Sequence, residues 1–463
     1  MTLDELCTQR VAVWGAGAEG LALTRLLLGR GVVPTLIDDQ ESAGERMEAA
    51  LGSRIAVRKP ADLDWGSVDV VVRSPGVSRY RPELVAAAQA GAEVTTAMAM
   101  WLQDYRAAPV LAITGTKGKS TTATLAASIL QHQGLSVALA GNIGTPVTDL
   151  YGRSPADAYV VEVSSYQAAD VGVSPRVCVL TSLAPDHLDW HGGEEAYYRD
   201  KLRLITAGPP GALGVNAGSP QAVARTAGHP GRVLFGPVGR VRVEASGTVT
   251  VDGVPMVDGR RLAVPGAHNL ANLCGAVAGS MLLLGEPPEA AAVAAAVDGF
   301  GGLPSRCRTV GERHGVSFVD DALASNPFAT IASVAAFPDR PLTLIVGGAD
   351  RGTDPGDLLA ALALRRPPPR VVVLADASDA ASRVLRSAGS DLEVTVAPDL
   401  AGAVDQAVGS TPTGGVVLFS PAAPTPPGGG GYRERSRQFV SAAGFGETAE
   451  GGGSMSTSRG GEP

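Results

Sequence analysis

The run AITGTKGKSTT, residues 112–122, sets Gly115 and Gly118 ahead of Lys119, Ser120 and Thr121, where a Val/Ile-rich strand gives way to a helix. Small residues let backbone amides reach phosphate oxygens, a lysine neutralises charge on a transferred phosphoryl group, and a hydroxyl can serve magnesium. Gly115, Thr116, Lys117, Gly118, Lys119, Ser120 and Thr121 are therefore expected to cradle ATP. The strict P-loop pattern asks for a glycine where Ile113 stands, so the loop is of a shorter kind. A plain Gly/Ser turn is the bland alternative.

Further along, AYVVEVSSYQ reads as a buried strand delivering Glu162 at its end, either as an ion-pair member or as a magnesium ligand. The stretch LAPDHLDWHGGEEAYYRDKL gathers His187, Asp189, His191 and Lys201. An isolated histidine is more often a satisfied core residue, but His187 follows the strand VCVLTSL, whose end is expected beside that of the Glu162 strand. Asn269 and Asn272, three apart at the start of a helix, suit either capping or hydrogen bonds to a nucleotide.

A second glycine cluster lies near the N-terminus. VAVWGAGAEG spaces Gly15, Gly17 and Gly20 as in the dinucleotide fingerprint, with Asp38 ending the next strand. The same physics binds any diphosphate, so an NAD(P)-dependent oxidoreductase and a UDP-sugar binder both stay open. Gly76, in RSPGVSRYRPE, either lines the same crevice or makes a plain turn.

The elements that must position these residues follow from length and pattern. A chain of 463 residues exceeds one ordinary core, and Val/Ile segments alternating with Ala/Leu-rich helical stretches argue for parallel sheets with helices on their faces, an α/β fold. RAAPV at 106–110 and GFGGLPSR at 299–306 mark boundaries, residues 230–264 read as a hairpin-rich insert, and the tail from Thr448 is expected to be disordered. A net charge of −8 without a basic block argues against nucleic acid and anionic membranes. Cys7, Cys178, Cys274 and Cys307 lack metal-ligand spacing and fit free thiols in a reducing compartment. No leader and no apolar run of membrane-spanning length is read, so the expectation is a soluble, cytoplasmic, monomeric protein acting on small molecules.

Taken together, GTKGKST, GNIG, VEVSSYQ, DHLDWH, RDKL, HNLAN and GLPSR resemble the Mur ligase family, the ATP-dependent amide-forming enzymes of the peptidoglycan peptide stem, over residues 11 to about 440. GERHG soon after GLPSR resembles the branch that adds glutamate to UDP-N-acetylmuramoyl-L-alanine. The resemblance implies three domains: a Rossmann-like UDP-sugar domain (1–106), a P-loop-type ATPase domain (107–303) and a Rossmann-like amino-acid domain (304–463). It implies that Lys119 meets the γ-phosphate, that Ser120 and Glu162 hold one magnesium ion, and that His187 and a carbamylated Lys201 hold a second. Gly15, Gly17, Gly20, Asp38, Gly76 and Asn142 fall to the UDP-sugar, and Asn269, Asn272, Arg306 and Asp321 to ATP.

Two departures fall on the amino-acid pocket. Where the D-glutamate-adding enzymes usually carry Asp-Ser-Lys-Ala-Thr-Asn, this chain has DALASN, with Leu323 in place of the lysine and Ser325 in place of the threonine. Where they carry Ser-Pro-Ala-x-Ala-Ser-Phe-Asp, SPAAPTPPGGGGY sets Thr425 and Tyr432. VAVWGAG, SPGVSRYRPE and GGADRGTD resemble a sister branch that adds L-glutamate, with a separate epimerase acting on the product. Arg351 is the expected cation for the glutamate side chain. A D-glutamate ligase with a drifted pocket and a non-catalytic scaffold remain as alternatives.

Overall fold

Val11, Ala12, Val13 and Trp14 are all buried, and a strand covered on both faces belongs in the middle of a helix-flanked parallel sheet. The computed structural model describes residues 1–52, 55–208, 211–349, 354–375, 392–426 and 430–446. The chain divides into two compact units, Met1–Ala263 with Ala267–Phe300, and Val264–Gly266 with the residues from Gly301 onward. The expected disordered tail lies outside the described residues.

The first unit holds two sheets. In the first, β1 (Val11–Trp14), β2 (Thr35–Ile37), β3 (Val57–Arg58), β4 (Val70–Arg73) and β5 (Glu93–Thr95) are all parallel, in the order β3-β2-β1-β4-β5. The strand order reverses between β1 and β4, and such a point opens a crevice at the carboxyl ends of the strands. The loop Gly15–Gly17 follows β1 there, before the helix Ala18–Gly29.

The second sheet has nine strands: β6 (Val110–Thr114), β7 (Val137–Gly141), β8 (Ala158–Glu162), β9 (Val177–Leu180), β10 (Ala212–Asn216), β11 (Arg232–Gly236), β12 (Val241–Val243), β13 (Thr248–Val251) and β14 (Val254–Asp258). They run in the order β14-β13-β12-β11-β10-β9-β6-β8-β7. Contrary to the expectation from sequence, the β8 and β9 ends are therefore not neighbours; β6 lies between them and pairs with both. That arrangement puts the phosphate loop, which continues from β6, between the loops that carry Glu162 and His187. The insert continues the sheet through two antiparallel pairings, β12 with β13 and β13 with β14. Asp252 and Gly253, both at positive φ, form the two-residue turn between β13 and β14. On β14, Met256 is an extra residue between the pairs Thr250–Pro255 and Val249–Val257, and β14 is the outer strand.

By length and composition one described helix, Ala267–Leu284, could cross a membrane, against the expectation that none would. It is largely buried and packs on the phosphate-loop helix Lys119–His132, the behaviour of a core helix.

The second unit contains β15 (Arg308–Arg313), β16 (Val316–Asp320), β17 (Leu342–Val346), β18 (Arg370–Leu374), β19 (Glu393–Ala397) and β20 (Val416–Phe419), in the order β15-β16-β20-β17-β18-β19. All neighbours are parallel except β15 with β16. Val316, Phe318, Ile345, Val372, Val417 and Phe419 form part of the core on one face of this sheet.

Candidate active site

Strand β6 is buried at every position, so the chain leaves it at a fixed point and turns into the helix that begins at Lys119. The turn requires glycine twice. Gly115 has φ +148° and a Cβ there would stand 2.1 Å from Thr181 Oγ1; Gly118 has φ +89° and a Cβ would meet Asn272 Oδ1 at 2.2 Å. The loop is pinned from outside: Thr116 N–H donates to Ser182 O at 2.9 Å, Lys117 N–H to Ser182 Oγ at 2.9 Å, and Thr181 Oγ1 to Lys117 O at 2.6 Å. Asn272 touches the loop and donates to Asn269 Oδ1 at 3.2 Å, so the two asparagines form one pair at the start of the helix Ala267–Leu284.

Lys119 Nζ lies across the loop, donating to Gly115 O at 2.9 Å and Thr116 O at 3.1 Å. Ser120 Oγ donates to Glu162 Oε2 in a short contact, and Asn142 Nδ2 donates to Glu162 Oε1 at 2.7 Å. Asn142, expected at the UDP-sugar, thus stands on the carboxylate beside the phosphate loop. Glu162 is fully buried, and a buried carboxylate needs donors or a cation to meet it. Among the described residues no group of three or more His, Cys, Asp or Glu side chains converges as a metal cage. A hydroxyl and one carboxylate beside a phosphate loop fit magnesium instead, which takes one or two protein ligands and completes its shell with phosphate oxygens and water.

Lys201, on the helix Glu194–Thr206, is 2% exposed, and its Nζ donates to the same Gly115 O at 3.0 Å. Two ammonium groups sharing one carbonyl would repel each other. Burial first, and Lys119 next, push the Lys201 amine well below its ordinary range, so it is the one that is readily neutral. His187, at φ 53°, precedes the short helix Leu188–His191, and burial lowers its pKa. Asp186 sits between Lys117 at 3.5 Å and His187 at 3.8 Å. Burial raises its pKa, but Lys117, His187, Lys119 and Lys201 together outweigh that and hold it below the usual value. Lys117 and Lys119 therefore set cationic potential at the loop beside the carboxylates Asp186 and Glu162, the field a polyphosphate needs.

In the first sheet the glycine loop shows two different demands. A Cβ on Gly20 would stand 1.8 Å from Gly15 O, so helix and loop touch there; at Gly17 and Gly76 nothing lies within 4 Å. Asp38 accepts from Ala16 N–H at 2.7 Å and Gln40 N–H at 2.8 Å, fixing the loop from the end of β2.

Within the second unit, Arg306 lies between Ser305 and Cys307, both at positive φ. Asp321 pins that turn, accepting from Cys307 N–H at 3.0 Å, Ser333 Oγ at 2.6 Å and Ser420 Oγ at 2.7 Å. Burial raises its pKa to about 6. Ser325 is exposed, Leu323 half-buried. The segment that carries Thr425 docks on the end of β17, with Ala349 N–H donating to Pro424 O at 2.8 Å and Gly347 N–H to Pro421 O at 3.0 Å. Tyr432 is half-buried at the start of the helix Gly431–Ala442. Arg351 lies outside the described residues.

Three family descriptions match successive parts of the sequence: the Mur ligase MurD-like N-terminal domain at residues 9–96, the Mur ligase middle domain at 113–279 and the Mur ligase glutamate ligase domain at 305–423. The chain belongs to the Mur ligase family. It is 37% identical to a UDP-N-acetylmuramoyl-L-alanine–L-glutamate ligase of Micromonospora sp., covering 96% of this chain and 98% of that protein. Proteins of the same description from Salinispora tropica (37%, 96% and 99% covered) and Xanthomonas axonopodis pv. citri (36%, 96% and 97%) are similarly related. Among solved structures, the UDP-N-acetylmuramate–alanine ligase of Thermotoga maritima superposes with a TM-score of 0.57 at 20% identity, covering 94% of this chain and 98% of that one. The MurF ligase of the same organism, in complex with ADP, gives 0.59 at 16%, covering 94% and 93%. The three-domain α/β fold of the family is thus the fold of this chain.

For this Mur ligase, sequence reasoning overlooked several participants. Asp186 stood beside His187 in the same motif and was legible as a charge partner. Tyr197, whose hydroxyl lies 2.7 Å from Thr116 Oγ1, and Asp200, next to Lys201, carried no local signal. Arg435, 5% exposed, donates to Gly347 O at 2.7 Å beside the Thr425 segment and was hidden in an otherwise polar helix.

Proposed function

We propose that this Mur ligase joins L-glutamate to UDP-N-acetylmuramoyl-L-alanine at the expense of ATP, in peptidoglycan synthesis. The observation that carries the reading is the relationship at 36–37% identity over 96% of the chain to proteins described as L-glutamate ligases, together with the phosphate loop and its carboxylate, lysines and histidine. The glycine loop of the first sheet is assigned to the diphosphate of the sugar nucleotide, and cytoplasmic action follows from those substrates. In the reaction the alanyl carboxylate attacks the γ-phosphorus, ADP leaves, and the amine of glutamate then displaces phosphate from the acyl phosphate. Lys119 neutralises the γ-phosphate as the carboxylate approaches, and Gly115–Gly118 present backbone amides to the phosphates. Magnesium, held by Ser120 and Glu162 and at a second position by His187 with a carbamylated Lys201, would offset the repulsion between the two anions. Neutral Lys201 is the form able to take up CO2.

The pocket changes support the L enantiomer. Leu323 offers no charge to a glutamate side chain, and Arg351 is assigned as its bidentate partner in place of that lysine. Inverting Cα exchanges the directions of amine and side chain, so moving the cation while the amine still faces the acyl phosphate suits the opposite enantiomer. Phosphate release with the sugar nucleotide, ATP and each glutamate enantiomer in turn tests this. Turnover with L-glutamate is expected; turnover with D-glutamate alone would place the chain in the other branch.

A further inference from the structure

Tyr80, in the loop after β4 that also carries Gly76, faces the helix that carries Lys201, and the reaction outlined above gives it no role. Tyr80 OH donates to both oxygens of Asp200 at 2.9 Å and itself accepts from Arg199 Nη2 at 2.8 Å. Asp200 is 3% exposed and receives His191 Nδ1 at 2.7 Å, while His191 Nε2 lies 3.0 Å from Ser165 Oγ. A carboxylate only accepts, so Nδ1 carries the hydrogen, while Nε2 faces the Ser165 hydroxyl. Ser165 opens the short helix that follows Glu162.

The chain of contacts continues toward the phosphates. The His191 ring stands edge-on to Tyr197, with centroids 5.2 Å apart. Tyr197 reaches Thr116 of the phosphate loop through its hydroxyl, and Lys201 Nζ lies 5.1 Å from its ring centre. Every member from Asp200 to Tyr197 is buried, so none can turn without displacing a neighbour.

We infer that Tyr80, Asp200 and His191 form a positioning relay that holds Tyr197, and through it Lys201 and Thr116, in register with the sheet that carries the glycine loop. The relay rests on the ligase reading for what it positions, not for its own existence. Removing the Tyr80 hydroxyl leaves the Asp200 carboxylate short of a donor in a buried place, and the cheapest repair is a rotation that carries His191 with it. Misplacement by a fraction of an ångström at a phosphoryl-transfer centre lowers turnover rather than binding.

Tyr80→Phe is expected to lower kcat about 10-fold while the KM values for ATP and sugar nucleotide stay within about twofold. In combination with His191→Gln it should cost no more than the worse single change, the mark of groups acting as a unit. A merely structural role for Tyr80 would lower thermal stability and leave kcat and additivity alone. Independently of turnover, proton NMR should show a low-field His191 Nδ1 proton that disappears in His191→Gln and moves both in Tyr80→Phe and when magnesium ADP binds the wild type. Unchanged kcat in Tyr80→Phe overturns the relay. If the wild type fails to turn over UDP-N-acetylmuramoyl-L-alanine, the ligase reading falls, and the NMR response alone decides: a proton insensitive to ADP overturns the relay.

Discussion

Gly17 and Gly20 belong to one motif, yet the structure separates their reasons, and alanine at each should give opposite phenotypes. At Gly20 the new Cβ would lie 1.8 Å from Gly15 O, a backbone atom that cannot swing aside. Overpacking of this kind costs roughly 2–3 kcal/mol. Spread over the large first unit, that lowers Tm by roughly 3–5 °C. At Gly17 the backbone has φ −84° and ψ −172°, which any residue adopts, and no protein atom lies within 4 Å. Alanine there loses only a helix-capping preference, under about 1 kcal/mol. If the diphosphate rests against this open position, the methyl group displaces it and removes a charge-assisted bond of about 1.5–3 kcal/mol. The dissociation constant for the UDP-sugar should rise about 10- to 100-fold. Scanning calorimetry and isothermal titration with UDP-N-acetylmuramoyl-L-alanine, NAD and NADP measure both quantities. Gly17→Ala binding as tightly as wild type would refute the diphosphate assignment, and tight nicotinamide binding would restore the oxidoreductase reading. An unshifted melt for Gly20→Ala would refute the packing argument.

Lys119→Ala should lose ~100-fold or more of kcat with the sugar-nucleotide dissociation constant unchanged, since one residue acts on the γ-phosphate and the other site lies on a different sheet. Lys201→Ala should be nearly inactive and partly rescued by small carboxylates, with intact mass under bicarbonate reporting the carbamate in the wild type; full activity of the variant would dismiss that role. Glu19, half-buried beside the glycine loop with Gln167 Nε2 at 2.5 Å, has its pKa raised by desolvation from 4.5 to about 7. A raised carboxyl contributes stability below its unfolded value and loses it as pH rises through the folded one. Glu19→Gln should therefore gain in Tm relative to wild type between pH 4.5 and about 7, and parallel melting curves across that range would contradict the burial argument.

The chemistry in the phosphate loop was legible because it is local. Glycines at fixed offsets from a lysine and a serine, at a strand-to-helix junction, encode a turn whose φ values other residues resist. Glu162 was legible for a similar reason, standing at the end of an apolar run. Strand order was not, because parallel neighbours are chosen by packing across the whole sheet; hence β6, not β9, stands beside β8. Tyr80 and Asp200 are 120 positions apart, and no spacing rule joins a tyrosine in one sheet's loop to an aspartate on another sheet's helix. Asp321 illustrates a second limit: the sequence suggested a nucleotide role but gave no sign that Cys307, Ser333 and Ser420 all donate to it and that it holds the Arg306 turn.

The outer strand β14 has a bearing on how the protein behaves when concentrated. The outermost strand of a sheet is where a second copy could add itself through backbone amides and carbonyls. Here that edge begins Val254-Pro255, and Pro255 has no amide to give. The extra residue Met256 then breaks the two-residue repeat and turns the strand, so that an incoming chain would find its register lost after a few residues. With Val254 62% exposed at the same place, the proline and the bulge are what keep a sticky edge from becoming a template for aggregation.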